Sequence, residues 1–356
     1  GTQGGGMASV DLNGKGSISA SVNASSDGTI NAGMGGEMRI GNTSIQAEGH
    51  VHHDKNGTSG GISVGSQFGN DGQVKTSLEG NSNGEITGGL EGDMKLGNGS
   101  SVHGALYAHH DKNGTSGGGL LSGDFGKDGQ FQASVNRSSS GAIDAGLGGQ
   151  LNMGNTSIGG QAHMHHDQNG TSGGGSLSAH FGNNNSLAAS VEGNSDGTVK
   201  GQVEGTVHVG NGTFHGSGYV QHDHNGTSGG GMLSGDFGKD GHLQASVNRS
   251  NIGSIDAGLG GQLNFMGNTS IDGEAHVHHD QNGTSGGGSL YAHFGNNNSL
   301  AASVEGTSDG TVKGQAAGTV HVGNGTFHGA GYVQHDHNGT SDGGMLSVDF
   351  GKDGHL

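Results

Sequence analysis

Histidine is the side chain most able to do chemistry here, with 24 copies in 356 residues. It gathers with aspartate in a recurring group: His52-His53-Asp54, His109-His110-Asp111, His165-His166-Asp167, His222-Asp223-His224, His278-His279-Asp280 and His335-Asp336-His337. Imidazole suits zinc, copper and nickel, and a neighbouring carboxylate can ligate or orient the ring. On a strand, residues two apart face the same way, so His276 and His278 project together. Zinc or copper at such groups would cross-link sheets. Clustered imidazoles would otherwise charge near pH 6 and alter local repulsion. The plainer account is that His serves as a polar, strand-tolerant surface residue.

Other chemistries find less support. Asp54-Lys55-Asn56-Gly57-Thr58 offers oxygens at alternate positions, yet lacks the glycine and final glutamate of a calcium loop, so calcium is not expected. The His-Asp group recurs six times, and no unique nucleophile elbow stands out. Enzymes concentrate chemistry at one place, so we expect no catalytic residues and no required cofactor. Ser116–Gly119 lacks the lysine and following helix of a phosphate loop. Asn-x-Ser/Thr sequons fall in turn-forming stretches at Asn42, Asn56, Asn98, Asn113, Asn155, Asn169, Asn211, Asn225, Asn268, Asn282, Asn324 and Asn338. In a secreted chain these are exposed N-glycan acceptors, although Asn-Gly-Thr is also simply a good hairpin turn.

The elements that position these residues repeat. From His52 the group returns at His109, His165, Gln221, His278 and Gln334, in steps of 57, 56, 56, 57 and 56 residues. We expect one continuous array without separate domains: repeats at about 1–54, 55–111, 112–167, 168–223, 224–280 and 281–336, with a partial repeat at 337–356. Alternate copies match best, since Phe125–Val135 returns at Phe237–Val247 and Ser190–Asn225 at Ser303–Asn338. The last residues, Phe350–Leu356, copy Phe237–Leu243, which leads into a strand. That ending reads as mid-hairpin, either a window on a longer array or a subunit completed by a neighbour's strand. The opening Gly1-Thr2-Gln3 reads as a processed or internal start.

Within each repeat, apolar and small residues alternate with polar ones. Ile86, Gly88, Leu90, Gly92, Met94 and Leu96 oppose Thr87, Glu91, Asp93 and Lys95. Likewise Ile45, Ala47, Gly49 and Val51 oppose Gln46, Glu48, His50 and His52. Strict period 2 marks half-buried strands, and no helical stripe appears. Each unit therefore holds four antiparallel strands of roughly 8–11 residues, separated by Asn-Gly and Asp-Gly turns. The fold expected is all-β: an antiparallel up-and-down meander of about two dozen strands, as a two-layer sandwich or flattened barrel, with a β-solenoid as the alternative.

Composition bounds the function. Eighty-four glycines with 27% hydrophobic residues leave little for a thick core, and would suggest disorder but for the period-2 pattern. Absence of Cys removes thiol chemistry and disulfides. Net charge of −18 disfavours nucleic acid and anionic membranes. No apolar run reaches a membrane helix, and a membrane barrel would want aromatic girdles.

Near-identical blocks rich in Gly, Asn, Ser and His resemble secreted structural materials such as silk-like and byssal-thread proteins. The resemblance spans the whole chain but is one of composition and repetition. It departs from spidroins, which carry poly-Ala, and from catechol adhesives, since Tyr occurs only at Tyr107, Tyr219, Tyr291 and Tyr332. A weaker likeness is to attacin-like Gly-rich defence proteins, whose anionic targets sit badly with the charge. The resemblance implies a secreted, extracellular protein whose partner is itself, assembling into a fibre by strand ladders and strand donation. A Gly-rich binding or antimicrobial protein is the alternative.

Overall fold

The computed structural model describes residues 1–182, 184–265, 268–295 and 297–351. Of the sequence expectations, those on 352–356 lie outside them. The chain divides into two compact units, Gly1–Leu177 and Ser178–Leu356.

The first unit holds β1 (Gln3–Asp11), β2 (Gly16–Ser25), β3 (Ile30–Ile40), β4 (Thr43–Asp54), β5 (Gly57–Phe68) and β6 (Gly72–Asn81). It continues with β7 (Ile86–Gly97), β8 (Ser100–Asp111), β9 (Gly114–Asp124), β10 (Gly129–Arg137), β11 (Ile143–Met153) and β12 (Thr156–Asp167). The division falls inside β13 (Gly170–Phe181). The second unit holds β14 (Asn185–Asn194), β15 (Val199–Val209), β16 (Gly212–Asp223), β17 (Gly226–Asp236), β18 (Gly241–Arg249) and β19 (Ile255–Phe265). It ends with β20 (Thr269–Asp280), β21 (Gly283–Phe294), β22 (Asn298–Thr307), β23 (Val312–Val322), β24 (Gly325–Asp336) and β25 (Gly339–Asp349).

Among the described residues, 25 strands form the antiparallel up-and-down meander that alternation predicts, four to a repeat. Every register described joins strands consecutive in sequence, as hairpins rather than the stacked rungs of a solenoid. Turn chemistry sets those registers. Ile40 pairs with Thr43 around Gly41-Asn42, where Gly41 has φ 63°, a value that suits a two-residue hairpin turn. At the other end of β4, the Asp54 carboxylate accepts the Asn56 backbone N–H at 2.8 Å and closes Lys55-Asn56 as a local turn. A wider turn between β9 and β10 is a short 3-10 segment, Gly126–Asp128, closed by Phe125 N–H to Gly129 O at 2.8 Å.

Register places whole strands' worth of residues on two faces. In the first unit one face carries Met34, Gly36 and Met38 of β3, Ala47, Gly49 and Val51 of β4, Ile62 and Val64 of β5, and Leu78 of β6. The other carries Glu37, Gln46, Glu48, His50, His52, Ser63 and Glu79. The apolar face is largely exposed: among the described residues the only buried hydrophobic side chains are Ala179 and Ala292. Met34 is 67% exposed, and Ile62 and Leu147 are each 59% exposed.

Candidate functional site

Six times over, a histidine is tied across its hairpin to a threonine hydroxyl. His53 Nδ1 meets Thr58 Oγ1 at 2.7 Å, and the same bond joins His110 to Thr115, His166 to Thr171, His222 to Thr227, His279 to Thr284 and His335 to Thr340. The threonine is the third residue of the sequon that forms the turn, Asn56-Gly57-Thr58 in the first copy. Antiparallel register does this: Asp54 pairs with Gly57, which sets His53 directly opposite Thr58.

The adjacent histidine does something else. His52 belongs to the other face, where its Nδ1 bonds Asn31 of β3 at 2.6 Å and its Nε2 lies 3.8 Å from Asp54. His109 bonds Thr87 at 2.9 Å and sits 3.9 Å from Asp111. In the two copies with an aspartate across the strand the contact is an ion pair: His165 with Asp144 at 2.6 Å and His278 with Asp256 at 2.5 Å. Asp167 and Asp280 then approach from the turn, at 3.7 and 3.6 Å. Gln221 and Gln334 take the position in the remaining copies, each donating to its turn aspartate, Asp223 or Asp336, at 3.2 Å.

The pleat therefore divides the groups that look like ligand sets in sequence. Within each unit by itself, His53, His110 and His166, and His222, His279 and His335, lie on the apolar face. Asp54, Asp111, Asp167, Asp223, Asp280 and Asp336 lie on the other, with His52, His109, His165 and His278 beside their aspartates. His224 and His337 sit in the turns. In four copies the turn aspartate thus keeps the histidine two residues before it on its own face and loses the adjacent one.

Among the described residues, the group with ligand atoms within 4.8 Å of one another is Glu91, Asp93 and His103, which sequence reading did not single out. His103 Nδ1 donates to Asp93 at 2.6 Å and Gln73 Nε2 donates to its second oxygen at 2.8 Å, so both carboxylate oxygens already accept hydrogen bonds. Those two donors, Gln73 first, hold Asp93 below the ordinary carboxylate range. The signal was an acid pair two apart on β7 facing a histidine of β8, legible only with the register Asp93–His103 in hand.

The turn aspartates are electrostatically set. Asp54, Asp111, Asp167 and Asp280 are held below the usual value chiefly by the backbone N–H two residues on. Asp309 is lowered to about 2, first by the Thr307 hydroxyl and then by the Thr311 backbone. His165 and His278 are raised, first by their hydrogen bonds to Asp144 and Asp256. A histidine raised in the folded state lends stability that is complete below its ordinary value of about 6.5 and lost as pH climbs through the folded value. In the unassembled chain, the His165 ring should titrate above its ordinary midpoint by NMR, and Asp144→Asn should bring it down. An unmoved midpoint would contradict the pairing.

The twelve sequon asparagines named above lie exposed at turn positions, whereas further sequons at Asn23, Asn136 and Asn248 lie within β2, β10 and β18. In the first unit Asn42, Asn98 and Asn155 occupy turns at one rim of the sheet, and Asn56, Asn113 and Asn169 turns at the opposite rim. The histidine–threonine pairs belong to the second rim. In the second unit a groove of about 630 Å³ runs across the polar face between Tyr291 and Tyr332, over Ser303, Gln315 and Ala317.

Fold and site together define an all-β tandem-repeat protein, a meander whose turns carry sequons and whose rim carries histidine pairs. No family model matches the chain. No curated protein matches it either. Among solved structures, it is similar to the crystal structure of BauA, the ferric preacinetobactin receptor from Acinetobacter baumannii. That similarity has 10% identity over 97% of this chain and 70% of the receptor, at a TM-score of 0.24.

Proposed function

We propose that this chain is a secreted structural protein whose β-rich repeats assemble into an extracellular fibre or filament, growing by addition of strands at open edges. The observation that carries the reading is the edge itself. Among the described residues β1 pairs only with β2, and β25 only with β24. The described ladder does not close on itself, and an unclosed antiparallel sheet offers backbone donors and acceptors as a template for strand addition. β1 has no Lys and no Pro to blunt it, and its one charge, Asp11, is at its end. Individually modest hydrogen bonds then sum along a long ladder.

The histidine–aspartate pairs support tuning of lateral association by pH more than by metal, because the pleat turns His53 and its counterparts away from the turn aspartates that zinc or copper would need beside them. Sequons exposed at both rims support N-glycans that hydrate the turns without covering the strands. The reading needs no active site.

Electron microscopy and sedimentation of the chain over a range of concentrations test it. Filaments are expected, and Val10→Lys, which sets a charge on the apolar side of β1, should slow their growth. Monodisperse particles at every concentration would overturn the proposal.

A further inference from the structure

We propose that the apolar face of the first unit is covered by the same face of a second copy of this chain. The inference rests on the fibre reading and names a contact that strand addition does not make: sheet laid on sheet, at right angles to the growing ladder.

Charge comes first. Through β1–β12 every acidic side chain in a strand takes the polar face by register, from Asp11 and Glu37 through Glu91 and Asp93 to Asp144 and Asp167. The apolar face holds Arg137 at the end of β10 and histidines at one rim, and no carboxylate. A chain of net charge −18 repels its own copies less across a face like this one than across its acidic face. The same net charge disfavours an acidic partner or an anionic bilayer as the occupant.

Shape comes second. Large and small residues alternate along the strands of this face: Gly88, Leu90, Gly92, Met94 on β7, and Ala145, Leu147, Gly149, Leu151 on β11. A face of ridges and notches can seat the ridges of an identical face in its notches, the interdigitation that packed cores use. Lipid chains would need no notches.

Area comes third. The chain exposes 23078 Å². A folded monomer of 35.0 kDa would expose about 13,000 Å². The excess, on the order of 10,000 Å², is several times the roughly 1,600 Å² that a standard stable interface buries. Among the described residues, a single strand carboxylate lies on the equivalent face of the second unit. Asp342 of β25 stands opposite Val333, where the other repeats have Gly60, Gly117, Gly173, Gly229 and Gly286. A carboxylate on an apolar face is costly to bury unpaired, so lamination would be limited at that strand.

Because the chain has no cysteine, single thiols report cleanly. Leu147→Cys on the apolar face of β11 and Gln161→Cys on the polar face of adjacent β12 are compared for alkylation by iodoacetamide, dissociated and assembled. Leu147→Cys should become at least tenfold slower to react on assembly, and Gln161→Cys should change little. Leu106→Cys repeats the test should the first variant misfold. Fibres of the unmodified chain should diffract at about 10 Å between sheets as well as about 4.7 Å between strands. Equal reactivity of both thiols in fibres overturns lamination and leaves the fibre reading standing. Failure to assemble at any concentration overturns both. Protection in a sedimenting monomer, or only after addition of lipid vesicles, overturns the second copy as occupant.

Discussion

Gly117→Ala is expected to lower the thermal unfolding midpoint clearly, while Gly104→Ala on the same face is expected to hold or raise it. A Cβ on Gly117 would stand 2.8 Å from the Tyr107 carbonyl oxygen and 3.4 Å from the Ala108 Cα, both backbone atoms of the paired strand. Neither can step aside without spreading β8 from β9. The cost of such overpacking is about 1–3 kcal/mol. A Cβ on Gly104 meets nothing nearer than Leu121 Cδ1 at 3.8 Å. There the loss of unfolded-chain freedom dominates, stabilising by about 0.4–1 kcal/mol. Circular dichroism melts at one protein concentration decide the matter, and equal effects of the two variants would refute the argument. The close approach is periodic: Gly60, Gly173, Gly229 and Gly286 would each bring a Cβ within 2.7–2.9 Å of a carbonyl oxygen on the preceding strand. Alanine at any of them should reproduce the Gly117 result.

The midpoint of the unmodified chain is expected to rise with protein concentration. With Ala179 and Ala292 as the only buried hydrophobic side chains described, a lone copy has little apolar burial to set against the ordering of 356 residues. Whatever covers its apolar face stabilises the folded form by mass action. Each tenfold in concentration shifts such an equilibrium by about 1.4 kcal/mol, which moves the midpoint by a few degrees. Calorimetry over two decades of concentration measures this directly. A midpoint independent of concentration would mean that a single copy is stable by itself.

The two results differ in how far sequence alone could foresee them. That Gly117 lies in a strand is legible, since Gly117, Gly119 and Leu121 share one face by simple alternation. That it cannot be alanine while Gly104 can is not legible, because the difference is a carbonyl oxygen on another strand. The turns were legible for the opposite reason: Gly41-Asn42 and Asp54-Lys55-Asn56 carry their conformational preference within a few residues, through positive φ and a side chain that bonds its own backbone. The histidine groups divide along the same line. Their recurrence and their place beside each turn are sequence facts, but His52 and His53 look like one ligand set until the pleat sends them to opposite faces.

Strand identity, repeat length, turn positions and the apolar–polar division of the sheet follow from the chain's local chemistry, because a period of two needs no partner to define it. Which residue meets which across the ladder does not follow from it. His165 on Asp144, Asp93 between His103 and Gln73, and Gly117 against Tyr107 are all products of register, which hairpin closure sets many residues away. The openness of the apolar face is also a property of the folded chain. Composition warned of a thin core, but only the meander leaves Ile62, Leu106 and Leu147 together on a surface that water still reaches.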